Sequence, residues 1–243
     1  MSNAHPLDRL EDGVLDDSVP LATLLRQVVV IGGRASSQAL QTWALQELQG
    51  YPDAEAELPG YRKIHALLQA DSRSIAWEHT GETISFLDLP QIARENLSEE
   101  VPITFSIGRL EAMIAAANPG DAVRLAPPRA AEVAKLMTYE RRNHGIVVMR
   151  VYWTLHLSSL QDILDQVRTR LAQFVAELRS AMPAGEHEPT SEQVHRAVQN
   201  INITTGDNSP VTLAAPLAYA EQDAFANASS NIQKHRPWWR RSR

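Results

Sequence analysis

At 243 residues with 44% hydrophobic side chains, the chain can bury one sizeable core, and its formal charge of -6 (29 acidic against 23 basic residues) argues against a surface that wraps nucleic acid. The absence of cysteine excludes disulfides, cysteine-ligated zinc, iron–sulfur clusters and a thiol nucleophile. No apolar run approaches the roughly 18–20 residues of a membrane span, so a cytoplasmic protein is expected.

Residues 1–19, MSNAHPLDRLEDGVLDDSV, are acidic, lack the apolar stretch of a secretory signal and read as a flexible lead-in. From Pro20 the sequence PLATLLRQVVVIGGRA spaces Leu21, Leu24, Leu25, Val28 and Val29 as a helix, which Gly32-Gly33 is expected to loosen or end. A second helix starts with Ser36 or Ser37 as its N-cap and carries Leu40, Trp43, Ala44 and Leu48 on one side. It stops at Gly50-Tyr51-Pro52: glycine can take a positive φ, tyrosine can fold back onto the last turn, and proline cannot continue a helix. Two helices joined this tightly make an α-hairpin. Glu47 falls on the apolar side of the second helix and needs a partner, because an unpaired buried carboxylate is costly. Arg62 is the candidate.

Beyond the acidic spacer PDAEAELPG the pattern turns extended. KIHALLQ, SIAWEH and TISFLDL read as strands of a small antiparallel sheet, with Thr80-Gly81-Glu82 as a turn. Pro90 opens a short helical piece, a helix is expected near residues 107–117, VRLAP is a brief strand, and PPRAAEVAKLMTYERR is a helix with Arg141-Arg142 at its negative end. GIVVMRVYWTLHL is the best strand, with Val147, Met149, Val151, Trp153, Leu155 and Leu157 on one face and Arg150, Tyr152, Thr154 and His156 on the other. The best helix follows, capped by Ser159 with Asp162 in the capping-box position, running through Leu160, Ile163, Leu164, Val167, Leu171, Phe174, Val175 and Leu178 to Pro183.

Residues 20–182 thus form one α+β domain, an N-terminal α-hairpin packed on a small mixed β-sheet with flanking helices. Residues 183–196 read as a linker, and 197–243 as a C-terminal β segment with a basic-aromatic tail. In that segment Ile201, Ile203, Val211 and Leu213 flank the turn residues Gly206, Asp207 and Asn208, and an isolated pair of strands needs a partner, such as a second copy of the chain. The tail places Trp238 and Trp239 beside Arg240 and Arg241, a composition suited to an anionic membrane surface and hence to a peripheral location at the inner membrane.

Catalytic and metal signatures are sparse. None of the eight histidines has the i,i+4 spacing with an intervening acid of a helical zinc site, and neither phosphate-loop motif nor a G-x-S-x-G elbow occurs. No metal and no cofactor are expected. The densest reactive set is Arg141, Arg142 and His144, which could form a ribonuclease centre or simply terminate a helix.

The stretch LLRQVVVIGGRASSQALQTWALQELQGYPDAEAELPGYRKI resembles the AbiTii domain family of bacterial phage-defence proteins. The resemblance is carried by Trp43, Glu47, Leu48, Gly50, Tyr51, Leu58, Pro59, Tyr61 and Arg62 over about forty residues. It implies a role in abortive infection and assigns no catalytic residue. The expected function is therefore a non-enzymatic defence protein acting through self-assembly or through a phage or host protein partner, with nucleic acid disfavoured as a partner. A toxin ribonuclease at Arg141, Arg142 and His144 and a membrane-surface effector using the tail are the alternatives.

Overall fold

A computed structural model describes residues 5–52, 58–95, 97–118 and 121–201. Helix α1 (Pro6–Val14) occupies the segment read as a flexible lead-in. Pro6 sits at its start, and Leu7, Leu10, Gly13 and Val14 are buried at helical spacing. Its acidic residues face the end of α7 (Leu157–Ala181), where the Arg179 guanidinium binds Asp8 and Glu11. Arg168 of α7 donates to the carbonyls of Gly13, Asp16 and Val19, closing the C-terminal end of α1 and the turn after it. The acids that suggested solvation are instead half of a clasp onto α7.

Helix α2 (Leu21–Arg34) runs through Gly32-Gly33, which do not end it. A Cβ on Gly33 would lie 2.8 Å from Gln41 Nε2, and one on Gly32 2.9 Å from Gln41 Cγ. The glycines therefore let helix α3 (Gln38–Gln49) lie close against α2. The expected hairpin forms, but it packs on α1, α7 and helix α5 (Ile107–Ala116) in place of the sheet. Its apolar stripe, with Leu24, Leu25, Val28, Leu40 and Trp43, lies in the common core.

Strands β1 (Lys63–His65) and β4 (Glu100–Pro102) pair as one antiparallel ribbon. Strands β2 (Leu67–Arg73), β3 (Glu78–Thr83), β5 (Ala122–Leu125) and β6 (Val147–His156) form a second sheet in the order β3-β2-β6-β5. Every pairing is antiparallel, so the sheet is not mixed. Helices α6 (Ala130–Glu140) and α7 both contact β6; the short helix α4 (Gln91–Arg94) precedes β4.

Two register details depart from the simple alternation. The β2–β3 turn is at Ser74–Trp77, where Ser74 N–H donates to Trp77 O, while Thr80-Gly81-Glu82 lies inside β3. Gly81 takes φ +74 there, beside a bulge in the β2–β3 ladder. In β6, Asp71 of β2 pairs with Arg150 and Ser72 with Val148, leaving Met149 as an extra residue. One inserted residue reverses the parity of a strand. Val148 therefore joins Val151, Trp153 and Leu155 in the core, and Val147 turns out to solvent.

β6 passes into α7 without a loop, so that helix starts at Leu157, two residues before the expected Ser159 cap. Within the stretch read as a linker, Thr190 and Gln193 form a reciprocal capping box that starts helix α8 (Ser191–Asn200). Val194, Ala197 and Val198 are buried, and α8 packs on α7.

Candidate functional site

The residues of the Trp43–Arg62 signature converge on one interior point. Glu47 projects from α3 into the core and is fully buried, as is Arg62 at the end of the 3-10 turn Gly60–Arg62 that Pro59 introduces. Arg62 Nη2 donates to Glu47 Oε2, the ion pair expected from helical spacing. The other carboxylate oxygen accepts from two phenols, Tyr51 and Tyr61, at 2.7 Å each. Trp43 Nε1 donates to the Tyr61 hydroxyl at 3.0 Å, completing a chain from indole to phenol to carboxylate to guanidinium.

Arg62 also holds the segment leading into α5. Its Nη1 donates to the carbonyls of Ile103 (3.2 Å) and Phe105 (2.6 Å). Gly50 touches the same segment from the other side: it has φ +89 and ψ 170, an extended conformation of positive φ and not the left-handed helical one, and a Cβ there would lie 2.7 Å from Thr104 O. Tyr51 N–H donates to Thr104 O. The helix stop thus places Tyr51 over Glu47 and docks the α3 terminus on residues 103–106.

Burial, and then the negative charge of Glu47, push the Tyr51 and Tyr61 hydroxyls far above the ordinary phenol range, so both remain protonated donors. Both oxygens of Glu47 are engaged, and neither it nor Arg62 touches solvent. This is the arrangement of a structural knot tying α3, the 3-10 turn and the approach to α5. One member escaped the sequence reading: Arg170, 5% exposed on α7, lays its guanidinium over the Tyr61 ring at 4.7 Å. Its signal was available, because Arg170 falls on the Ile163, Val167, Phe174 side of an otherwise apolar stripe.

A second buried polar centre was also missed. Asp71 of β2, fully buried, accepts from the Tyr152 hydroxyl (2.7 Å) and Gly81 N–H (3.0 Å) and lies 2.7 Å from Arg150. Burial alone would raise its pKa, but these donors hold the carboxyl below its ordinary value.

The candidate catalytic residues point to separate partners. Arg141 ends α6 with Nη1 3.8 Å from Glu82, Arg142 donates to Tyr139 O (2.7 Å) and stacks on the Tyr139 ring (3.9 Å), and His144 is exposed in the 3-10 turn that follows. Glu186-His187-Glu188 is part of the α1 clasp: His187 Nδ1 lies 3.1 Å from Asp8 and its ring stacks on His5. Among the described residues, no group of three or more metal-ligating side chains is placed to hold an ion, and no helix is long and apolar enough to cross a membrane.

Of the residues assigned to assembly, Ile201 caps α8 and packs partly against the core. Ile203, Gly206, Asp207, Asn208, Val211 and Leu213, and the tail residues Trp238, Trp239, Arg240 and Arg241, lie outside the described residues.

Residues 7–203 match the family model described as AbiTii. No curated protein and no solved structure matches the chain.

Proposed function

This chain belongs to the AbiTii family of bacterial abortive-infection defence, and on that premise we propose that it acts by self-assembly or partner binding, without chemistry of its own. The supporting observation is the fate of the signature. Trp43, Glu47, Tyr51, Tyr61 and Arg62 bond to one another in the interior, which supports reading the pattern the sequence shares with the family as a scaffold. A scaffold with its polar signature turned inward delivers function through its surfaces and through the segment beyond α8.

Residues 197–200, read from the sequence as the start of a β segment, belong to α8, so the proposed assembly element is the segment beyond Ile201, with Ile203, Val211 and Leu213 as pairing residues. The test compares the full chain with one ending at Ile201, which keeps α8 and therefore the apolar cover of α7. Light scattering after size exclusion should give a larger particle for the full chain, and only the full chain should protect bacteria in a plaque assay. Equal mass for the two forms, or equal protection, overturns the proposal.

A further inference from the structure

The β2–β3 turn is an unusual place for apolar side chains. It is closed by Ser74 N–H to Trp77 O (2.8 Å) and Ala76 N–H to Ser74 Oγ (3.2 Å). Such a turn is satisfied by glycine, asparagine, aspartate or serine at its apex. Here the apex carries Ile75, 105% exposed, and Ala76, followed by Trp77 at 38%. Val147, which pairs with Arg73 at the foot of the hairpin, is exposed as well. Neither side chain supplies a bond that closes the turn, and the indole packs edge-on against the His79 ring with 4.6 Å between centroids, so the hairpin tip is an apolar prong.

A recess lies along α6. A groove of about 390 Å³ is lined by Ala93, Leu97, Pro128, Val133 and Leu136, with Lys135 on its rim. Arg129 at its mouth has φ +57, a conformation a non-glycine residue rarely adopts, held by its bond to Glu132. The volume accommodates a branched aliphatic side chain together with part of an indole. The exposed Lys135 matches the exposed Glu78 that follows Trp77 on the prong.

The groove runs along α6 from Pro128 to Leu136, and the strand at the foot of the prong joins the same helix at Thr138, whose hydroxyl accepts from Val148 N–H at 2.9 Å. The prong stands clear of the groove of its own chain: Ile75 is fully exposed, and none of Ile75, Ala76 and Trp77 lines the groove. We propose that the Ile75–Trp77 prong of one copy docks in the α4–α6 groove of the next. The contact is head-to-tail: the two patches differ, so repetition produces a closed ring or an open filament. It rests on the reading that the protein self-assembles, and it adds a second contact to the C-terminal one.

The experiment uses full-length protein. Wild type, Ile75→Asp and Leu136→Glu are compared by light scattering, with native mass spectrometry on their equimolar mixture. Each variant alone should form a smaller particle than wild type, with an apparent dissociation constant raised at least tenfold. Their mixture should regain mass in particles holding both variants, because each supplies the patch the other lacks. Should Leu136→Glu fail to fold, Glu78→Lys and Lys135→Glu, both at exposed positions, serve the same design. Ile75→Asp particles of wild-type mass, or a mixture that gains nothing, overturn the head-to-tail contact and leave C-terminal assembly standing. A wild type that is monomeric throughout overturns both.

Discussion

Glu47 and Arg62 meet in an interior that neither leaves: both side chains have 0% exposure, and the carboxylate is shared between one guanidinium and two phenols. Removing one member of such a pair strands the other as an uncompensated charge, which costs about 3–5 kcal/mol. Glu47→Gln should therefore remove a large part of a typical domain stability of about 5–15 kcal/mol. The double variant Glu47→Leu/Arg62→Met should lose less than the sum of its single changes, with a coupling of about 1–3 kcal/mol. Urea unfolding of the four proteins measures this. Additive losses would show that the two residues do not act as a pair.

Gly50 sets the corner that brings those residues together. Its positive φ with extended ψ is open essentially to glycine alone, at a cost of about 1–3 kcal/mol for other residues, and a methyl group would press on Thr104 O. Gly50→Ala should lower the melting temperature by about 4–8 °C, the equivalent of about 2 kcal/mol in a domain of this size. Gly108→Ala is the contrasting change: it lies inside α5 with no atom within 4 Å of the added methyl, so it should hold stability or raise it by up to about 1 kcal/mol. Equal effects at the two positions would refute the geometric argument.

The Glu47–Arg62 pair was legible because a carboxylate on the apolar stripe of a helix has few tolerable fates, and a nearby arginine is one of them. The elements α2, α3, α5, α6 and α7 were legible for the same reason, the 3.6-residue period of their buried side chains. What failed was local parity and context. The bulge at Met149 shifts β6 by one residue, and nothing in a run of valines marks where an extra residue enters the ladder. Gly81 resembles a turn glycine because bulges and turns demand the same positive φ. Helix α1 was obscured because its acids, which suggest solvent, are matched by Arg179 about 170 positions away. The Thr190–Gln193 capping box was visible in the sequence, and the acidic composition around it concealed it.

At the end of α6, Arg142 is bonded to and stacked on Tyr139 of the last helical turn, while Arg141 lies 3.8 Å from Glu82 of β3. His144→Ala should leave protection from phage and cellular RNA integrity unchanged, since His144 is exposed in the turn that follows. Loss of protection with intact expression and folding would move the function to this cluster and revive the ribonuclease reading.

Asp71 makes stability depend on pH in a defined direction. Its carboxyl is held below the ordinary value by the Tyr152 hydroxyl, Gly81 N–H and Arg150, which together outweigh burial. A depressed folded-state pKa contributes stability that is complete above the unfolded value of about 3.9 and is lost as pH falls through the lower folded value. Asp71→Asn keeps the shape and removes the charge, so at pH 7 it should cost about 2–3 kcal/mol, the scale of a buried hydrogen bond to a charged group. As pH falls below about 4 the unfolded chain takes up the proton first and the folded carboxyl only at its lower value, so the gap between the two proteins should narrow over that window. Urea midpoints at pH 7, 4 and 3 test this, and a gap that stays constant across that range would mean that the charge of Asp71 contributes nothing to the sheet.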